Sequence, residues 1–247
     1  MKKCISIGIM LLLVCPLPTQ AVTGEQILEN IDKNMVVDQA LSVTQMIVHG
    51  RTGTRTIRSK VWQKGKDKSF VEYLSPAREK GKKMLKLGDK LWNYTPEPND
   101  RIITIAGHLL RQSVMGSDLS YEDITENDKL RELYAATIEG EENFSGRKCV
   151  ILNLTAKQKD VAYHSRKVWV DEERWLPIKE ERFARSGRLL KTFEITDVFK
   201  QDGRWYPKRM IFKDMLSKGK GTEYVVESID FKVKIPDHQF SKAALRK

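Results

Sequence analysis

The chain has 247 residues, 31% of them charged, and a formal net charge of +11. That length is ample for one large hydrophobic core, while its 3 cysteines are too few and too unevenly placed for a disulfide framework. An excess of Lys and Arg suits anionic partners, which means nucleic acid in the cytosol and lipid phosphates or lipopolysaccharide for an exported chain.

The first segment decides between those compartments. Lys2 and Lys3 precede an apolar run from Ile5 to Val14 and a small-residue exit at Thr19-Gln20-Ala21, the pattern of a secretory signal peptide over residues 1–21. The run is shorter than the roughly 20 residues that span a bilayer, so the expected product is soluble, free in the periplasm and not a nucleic-acid binder. Leu12-Leu13-Val14-Cys15 has the outline of a lipoprotein acylation site, but Val14 is bulkier than the small residue such a site uses, and anchoring at Cys15 is not expected. Removing Lys2 and Lys3 takes the charge from +11 to +9. Cys4 and Cys15 leave with the leader, so Cys149, inside the apolar run Cys149-Val150-Ile151-Leu152, reads as a buried, inert thiol.

Thr23-Gly24-Glu25-Gln26 has capping-box spacing, and Ile27, Leu28, Ile31 and Met35 then recur on one face, predicting an amphipathic helix over 24–34 that needs a larger surface to lie on. From Ala40 the period changes to two, with Val43, Gln45 and Ile47 and then Thr56, Arg58, Lys60 and Trp62 alternating apolar with polar residues, as strands with one wet face do. Turn chemistry punctuates the remainder at 49–53, 64–67, 88–89, 98–100, 145–146, 186–187, 201–203 and 218–221. The spacing predicts an α+β chain that is mainly β: a large antiparallel sheet curled into a partial barrel, with few helices. Residues 107–134 interrupt it. His108 to Met115 reads as helical, an acidic run from Asp118 to Asp128 follows, and Lys129 to Tyr134 reads as another helical turn. These segments and the first helix are the available covers for the concave face and its edges. No Pro, Gly or Ser-rich linker divides residues 22–247, so one domain is expected.

The search for chemistry is mostly negative. His49, His108, His164 and His238 show no metal-ligand spacing, Ser113 and Ser120 lack a nucleophile-elbow setting, and no phosphate-binding glycine loop occurs. No metal, cofactor or catalytic residue is expected. The acidic cluster Asp118, Glu122, Asp123, Glu126 and Asp128 is the one enzyme-like feature; the competing reading makes Asp118 or Ser120 a helix cap and pairs the other acids with Lys and Arg. The aromatic residues, Trp62, Trp92, Tyr94 and Trp169 among them, fit cross-strand packing.

Two stretches are more particular: Tyr73-Leu74-Ser75-Pro76-Ala77-Arg78-Glu79-Lys80-Gly81 running on to Lys90-Leu91-Trp92-Asn93-Tyr94, and Met115-Gly116-Ser117-Asp118-Leu119-Ser120-Tyr121-Glu122-Asp123. In these the chain resembles the LolA-like outer-membrane lipoprotein-sorting protein family, in its broad sense rather than the dedicated lipoprotein carrier. The resemblance implies an unclosed β-barrel with helices over its concave face, a periplasmic location, and non-enzymatic carriage of acyl chains of lipid or lipoprotein. A monomer that binds no nucleic acid is expected. Members of the broad family look like accessory partners of RND-type lipid exporters, an inner-membrane transporter class; others with this fold act as sensors or adaptors that dock on an inner-membrane protein and detect lipid without carrying it. The expected ligand-binding wall is Leu85, Leu87, Trp92 and Tyr94 from the Gly88-Asp89 hairpin, with Leu109, Leu110 and Met115 from the covering segment. Each serves equally as plain core, since both roles require inward apolar faces.

Overall fold

The computed structural model describes residues 22–126 and 130–247. The signal peptide expected over 1–21, with Cys4 and Cys15, lies outside the described residues, as do Asp128 and Lys129.

Helix α1 spans Gly24–Met35. Thr23 caps it: its hydroxyl accepts from the Gln26 amide at 3.2 Å and its own amide donates to the Gln26 side chain at 2.8 Å. Ile27, Leu28 and Ile31 are buried, each contributing roughly 1.5–3 kcal/mol by leaving water.

Six strands follow: β1 Gln39–His49, β2 Thr54–Lys64, β3 Lys68–Ser75, β4 Lys83–Leu87, β5 Lys90–Thr95 and β6 Arg101–Ile105. A covering segment comes next, with 3-10 turns at Gly107–Arg111 and Val114–Gly116, then α2 Tyr121–Glu126 and α3 Leu130–Leu133. Seven strands complete the sheet: β7 Tyr134–Phe144, β8 Arg147–Ala156, β9 Ser165–Asp171, β10 Leu176–Phe183, β11 Leu189–Gln201, β12 Arg204–Asp214 and β13 Gly221–Asp230. All 13 form one antiparallel sheet in the order β6-β5-β4-β3-β2-β1-β13-β12-β11-β10-β9-β8-β7. Each half is a meander, and the halves join where β1 pairs β13. Strands β6 and β7 are the edges, so the barrel is not closed. Each turn cluster read from the sequence separates two consecutive strands.

Directly opposed residues share a face. One row therefore runs across the sheet, through Leu152, Val168, Glu180, Phe193, Phe212, Thr222 and Val48, on the face that α1 and the covering segment occupy. On this inner face, Met46, Val48, Ile57, Val71, Tyr73, Met84, Leu91 and Ile105 bury against Val114 and Tyr121 of the covering segment. Strand β1 turns Ala40, Ser42, Thr44, Met46 and Val48 inward, leaving Val43, Gln45 and Ile47 part-exposed on the outer face. The outer face is covered too, near β3–β5, where Ile235, Phe240 and Leu245 of the C-terminal segment pack on Phe70, Leu85, Trp92 and Tyr94.

The helix expected over His108 to Met115 is instead two 3-10 turns. Met115 stands at φ 51°, outside the helical region, and Ser113 bridges Ser120, so the segment doubles back and lies flat on the sheet.

Candidate functional site

Beneath α1 the inner face is incompletely filled. A cavity of about 630 Å³ lies between α1, α3 and strands β9–β12, within the range of small-molecule sites. Leu28, Ile31 and Met35 form its roof, and Phe193, Met210 and Phe212 its floor. The rings of Phe193 and Phe212 sit 4.9 Å apart, tilted by 45°. Tyr206 adds a phenol to the wall; burial, with Tyr224 nearby, pushes its pKa up to about 12, so it stays neutral at physiological pH.

The two ends differ in kind. Buried Glu180 and Arg182 stand at one. At the other, Lys66 of the β2–β3 turn bonds Glu132 of α3 at 3.2 Å, with both side chains well exposed. An exposed pair of this sort adds little stability. The roof is pinned more firmly: the Arg204 guanidinium donates to the carbonyls of Asn34 and Val36 at 2.7 and 2.8 Å, closing the C-terminus of α1, and Glu25 accepts from the edge-strand amide of Ala136 at 3.2 Å.

The covering segment is fastened to the inner face by its acids. Asp118 accepts from the Thr222 hydroxyl at 2.7 Å and from the Asp214 amide at 2.9 Å. Asp123, 1% exposed, accepts from Arg182 at 2.7 Å, Lys191 at 2.6 Å, the Tyr163 hydroxyl at 2.6 Å and the Ser120 amide at 2.7 Å. The Tyr121 hydroxyl takes a bond from Asn93 at 2.5 Å, and Arg55 donates to the Met115 carbonyl.

Comparison with known proteins places this geometry. A family model described as "Uncharacterized protein" matches residues 65–247. Among solved structures, a DUF1329 family protein from Desulfovibrio piger is 26% identical, with a TM-score of 0.84 over 90% of this chain and 98% of that one. A LolA superfamily protein from Nitrosomonas europaea is also 26% identical, with a TM-score of 0.74 over 91% of this chain and 100% of its own. The chain belongs to the LolA-like family. A domain from Vibrio parahaemolyticus described as an outer membrane lipoprotein-sorting protein shares the fold at 22% identity and a TM-score of 0.82, over 91% of this chain and 98% of that one. No curated protein matches the chain.

This LolA-like sheet buries charge on its inner face. Strand β10 turns Glu180 and Arg182 inward rather than to water. Glu180 bridges Arg166 at 3.0 Å and Arg182 at 2.9 Å, and Arg166, fully buried, stacks on Tyr134 and Tyr163. Burial alone would raise the Asp123 carboxyl, but Arg182 and Lys191 outweigh it and hold it well below the ordinary carboxylate range. Burial likewise opposes ionisation of Glu180, and Arg182 and Arg166 overcome it, lowering its pKa. The outcome is an ion-paired, hydrogen-bonded network between the covering segment and the cavity.

Asp118 and Asp123 are thus engaged as fasteners, and the Ser120 hydroxyl accepts from the Asp123 amide at 3.4 Å in the manner of a cap. Glu122 stands 3.6 Å from Arg111. Cys149 is buried and its thiol is pushed up by that burial. Among the described residues no cluster of His, Cys, Asp and Glu has metal-binding geometry, and no helix is long and apolar enough to cross a membrane.

The wall residues read from sequence are divided between the two faces of the sheet. Leu109, Leu110 and Met115 pack on the inner-face cluster around Val114 and Tyr121. Leu85, Leu87, Trp92 and Tyr94 lie on the outer face under the C-terminal segment, with Lys242 over the Trp92 ring at 4.6 Å. The structure does not bring these two groups together, and the 630 Å³ cavity is lined by other residues. Its floor of Phe193, Met210 and Phe212 is not singled out by the sequence. The available signal was the stripe of α1: a marginal helix that must lie on something marks what lies beneath it.

Proposed function

We propose that this protein is a periplasmic carrier that holds acyl chains of a lipid or lipoprotein in the cavity beneath α1, acting with an inner-membrane transporter such as an RND-type lipid exporter. The cavity carries the reading: about 630 Å³ roofed by Leu28, Ile31 and Met35 and floored by Phe193, Met210 and Phe212. Each methylene moved from water into such walls gains about 0.8 kcal/mol, and Met side chains adapt to chains of different shape. The ionised Glu180–Arg182 end and the charged margin at Lys66 and Glu132 are suited to a polar head rather than a tail. The Vibrio parahaemolyticus domain of like fold, described as lipoprotein-sorting, supports the cargo class. The reading is one of binding, not catalysis, because the acids that invited an enzymatic role fasten the covering segment.

Mass spectrometry of the protein purified from its own envelope without detergent tests it. Acyl-chain ligand at one equivalent is the expected result, with Met210→Trp, which narrows the cavity at its floor, emerging folded and carrying less ligand. An empty wild-type protein that also takes up no lipid from vesicles overturns the assignment.

A further inference from the structure

The two most exposed large apolar side chains among the described residues are consecutive, Met215 at 46% and Leu216 at 57%, and both sit in the turn between β12 and β13. The turn that displays them is held in shape. Asp214 accepts from the Leu216 amide at 2.8 Å, Lys213 donates to the Ser217 and Gly219 carbonyls at 2.9 and 2.6 Å, and Met215 donates to the Leu190 carbonyl at 2.8 Å. On its other flank Lys220 donates to the His49 carbonyl at 2.8 Å, and Gly219 packs so near that a Cβ there would meet the same oxygen at 2.8 Å. Three turns are therefore neighbours on one rim of the sheet: β1–β2, β12–β13 and β10–β11. Between them they expose Arg51, Arg185, Arg188, Lys218 and Lys220, and residues 50–53, 184–188 and 215–220 contain no Asp or Glu.

We propose that this rim docks the protein on an anionic phospholipid bilayer, with Met215 and Leu216 entering the interface and the surrounding cations meeting the head-group phosphates. An aliphatic tip within a ring of Lys and Arg matches the two forces that hold proteins at such surfaces, apolar insertion and attraction to anionic lipid. The single sign of charge across the three turns favours a surface of uniform negative charge over a protein partner. The surface is separate from the cavity under α1, and docking stands or falls independently of cargo.

Cosedimentation with phosphatidylcholine vesicles, with and without phosphatidylglycerol, tests the assignment. Binding should require phosphatidylglycerol and weaken as salt is raised. Met215→Ser with Leu216→Ser should weaken it roughly tenfold, by loss of apolar insertion. Since each cation near an anionic surface strengthens partitioning about fivefold, Lys218→Glu with Lys220→Glu should weaken it by more than tenfold. A charge-matched control on the opposite rim, Lys90→Glu with Lys148→Glu, should leave most of the binding intact. Should the paired tip variants misfold, Leu216→Cys carrying an environment-sensitive fluorophore gives a separate measurement, expected to shift to the blue with anionic vesicles alone. Equal binding to phosphatidylcholine, a control as damaging as the tip variants, an unshifted fluorophore, or no vesicle binding at all would overturn the proposal, the last of these leaving the rim to a protein partner.

Discussion

Asp123 is the most heavily committed side chain of the covering segment, and the cost of removing it follows from what it would leave behind. Arg182 is 3% exposed and Lys191 is also withdrawn from solvent. Asp123→Ala takes from Lys191 its carboxylate and leaves Arg182 with Glu180 alone, and breaking a buried pair in this way costs about 3–5 kcal/mol, to be read as a lower urea midpoint. Acid acts on the same group. The folded-state pKa values of Asp123 and Glu180 lie below the ordinary 3.8 and 4.5. Their contribution is therefore fully present above about pH 4.5 and lost as pH falls toward the depressed values. Stability measured against pH should fall in that window, and Asp123→Ala should flatten the fall. Sequence showed the acids and suggested that Lys and Arg would pair with them. It concealed which ones, because Lys179-Glu180-Glu181-Arg182 alternates charge with charge and reads as a wet strand on both faces, whereas the fold turns Glu180 and Arg182 inward.

Helix α1 shows how local signals and tertiary contact divide the work. Thr23→Ala removes the capping hydroxyl and should cost about 1 kcal/mol, visible in thermal unfolding. Gly24→Ala tests the packing: alanine is the better helix former by about 1 kcal/mol, yet its Cβ would lie 2.7 Å from the Ala136 carbonyl oxygen on β7. Overpacking of that severity costs about 1–3 kcal/mol, so the substitution should lower the midpoint despite its propensity. Capping box, apolar stripe and turn residues were legible because they are local. The covering segment was not, since its 3-10 turns answer to the inner face. Alternation likewise gave Leu85 and Trp92 a common side without revealing that the C-terminal segment covers that side.

For the molecule as a whole, the asymmetry between a strongly fastened covering segment and a weakly clasped cavity margin predicts where the proposed cargo would leave. Lys66→Ala breaks the exposed link to Glu132. It should change stability by less than about 0.5 kcal/mol while speeding release of a fluorescent fatty acid several-fold in a stopped-flow displacement assay. The pairing of β1 with β13 sets a different order of events, that of construction. Leu41 lies opposite Asp230 and His49 opposite Gly221, so the first strand made is completed by the last. Until β13 is present, the two meanders have no shared ladder, and β1 offers a bare edge to any neighbouring chain. Closing a seam between such distant segments is slow, which makes the interval between emergence of β1 and arrival of β13 the period in which this protein is most exposed to aggregation.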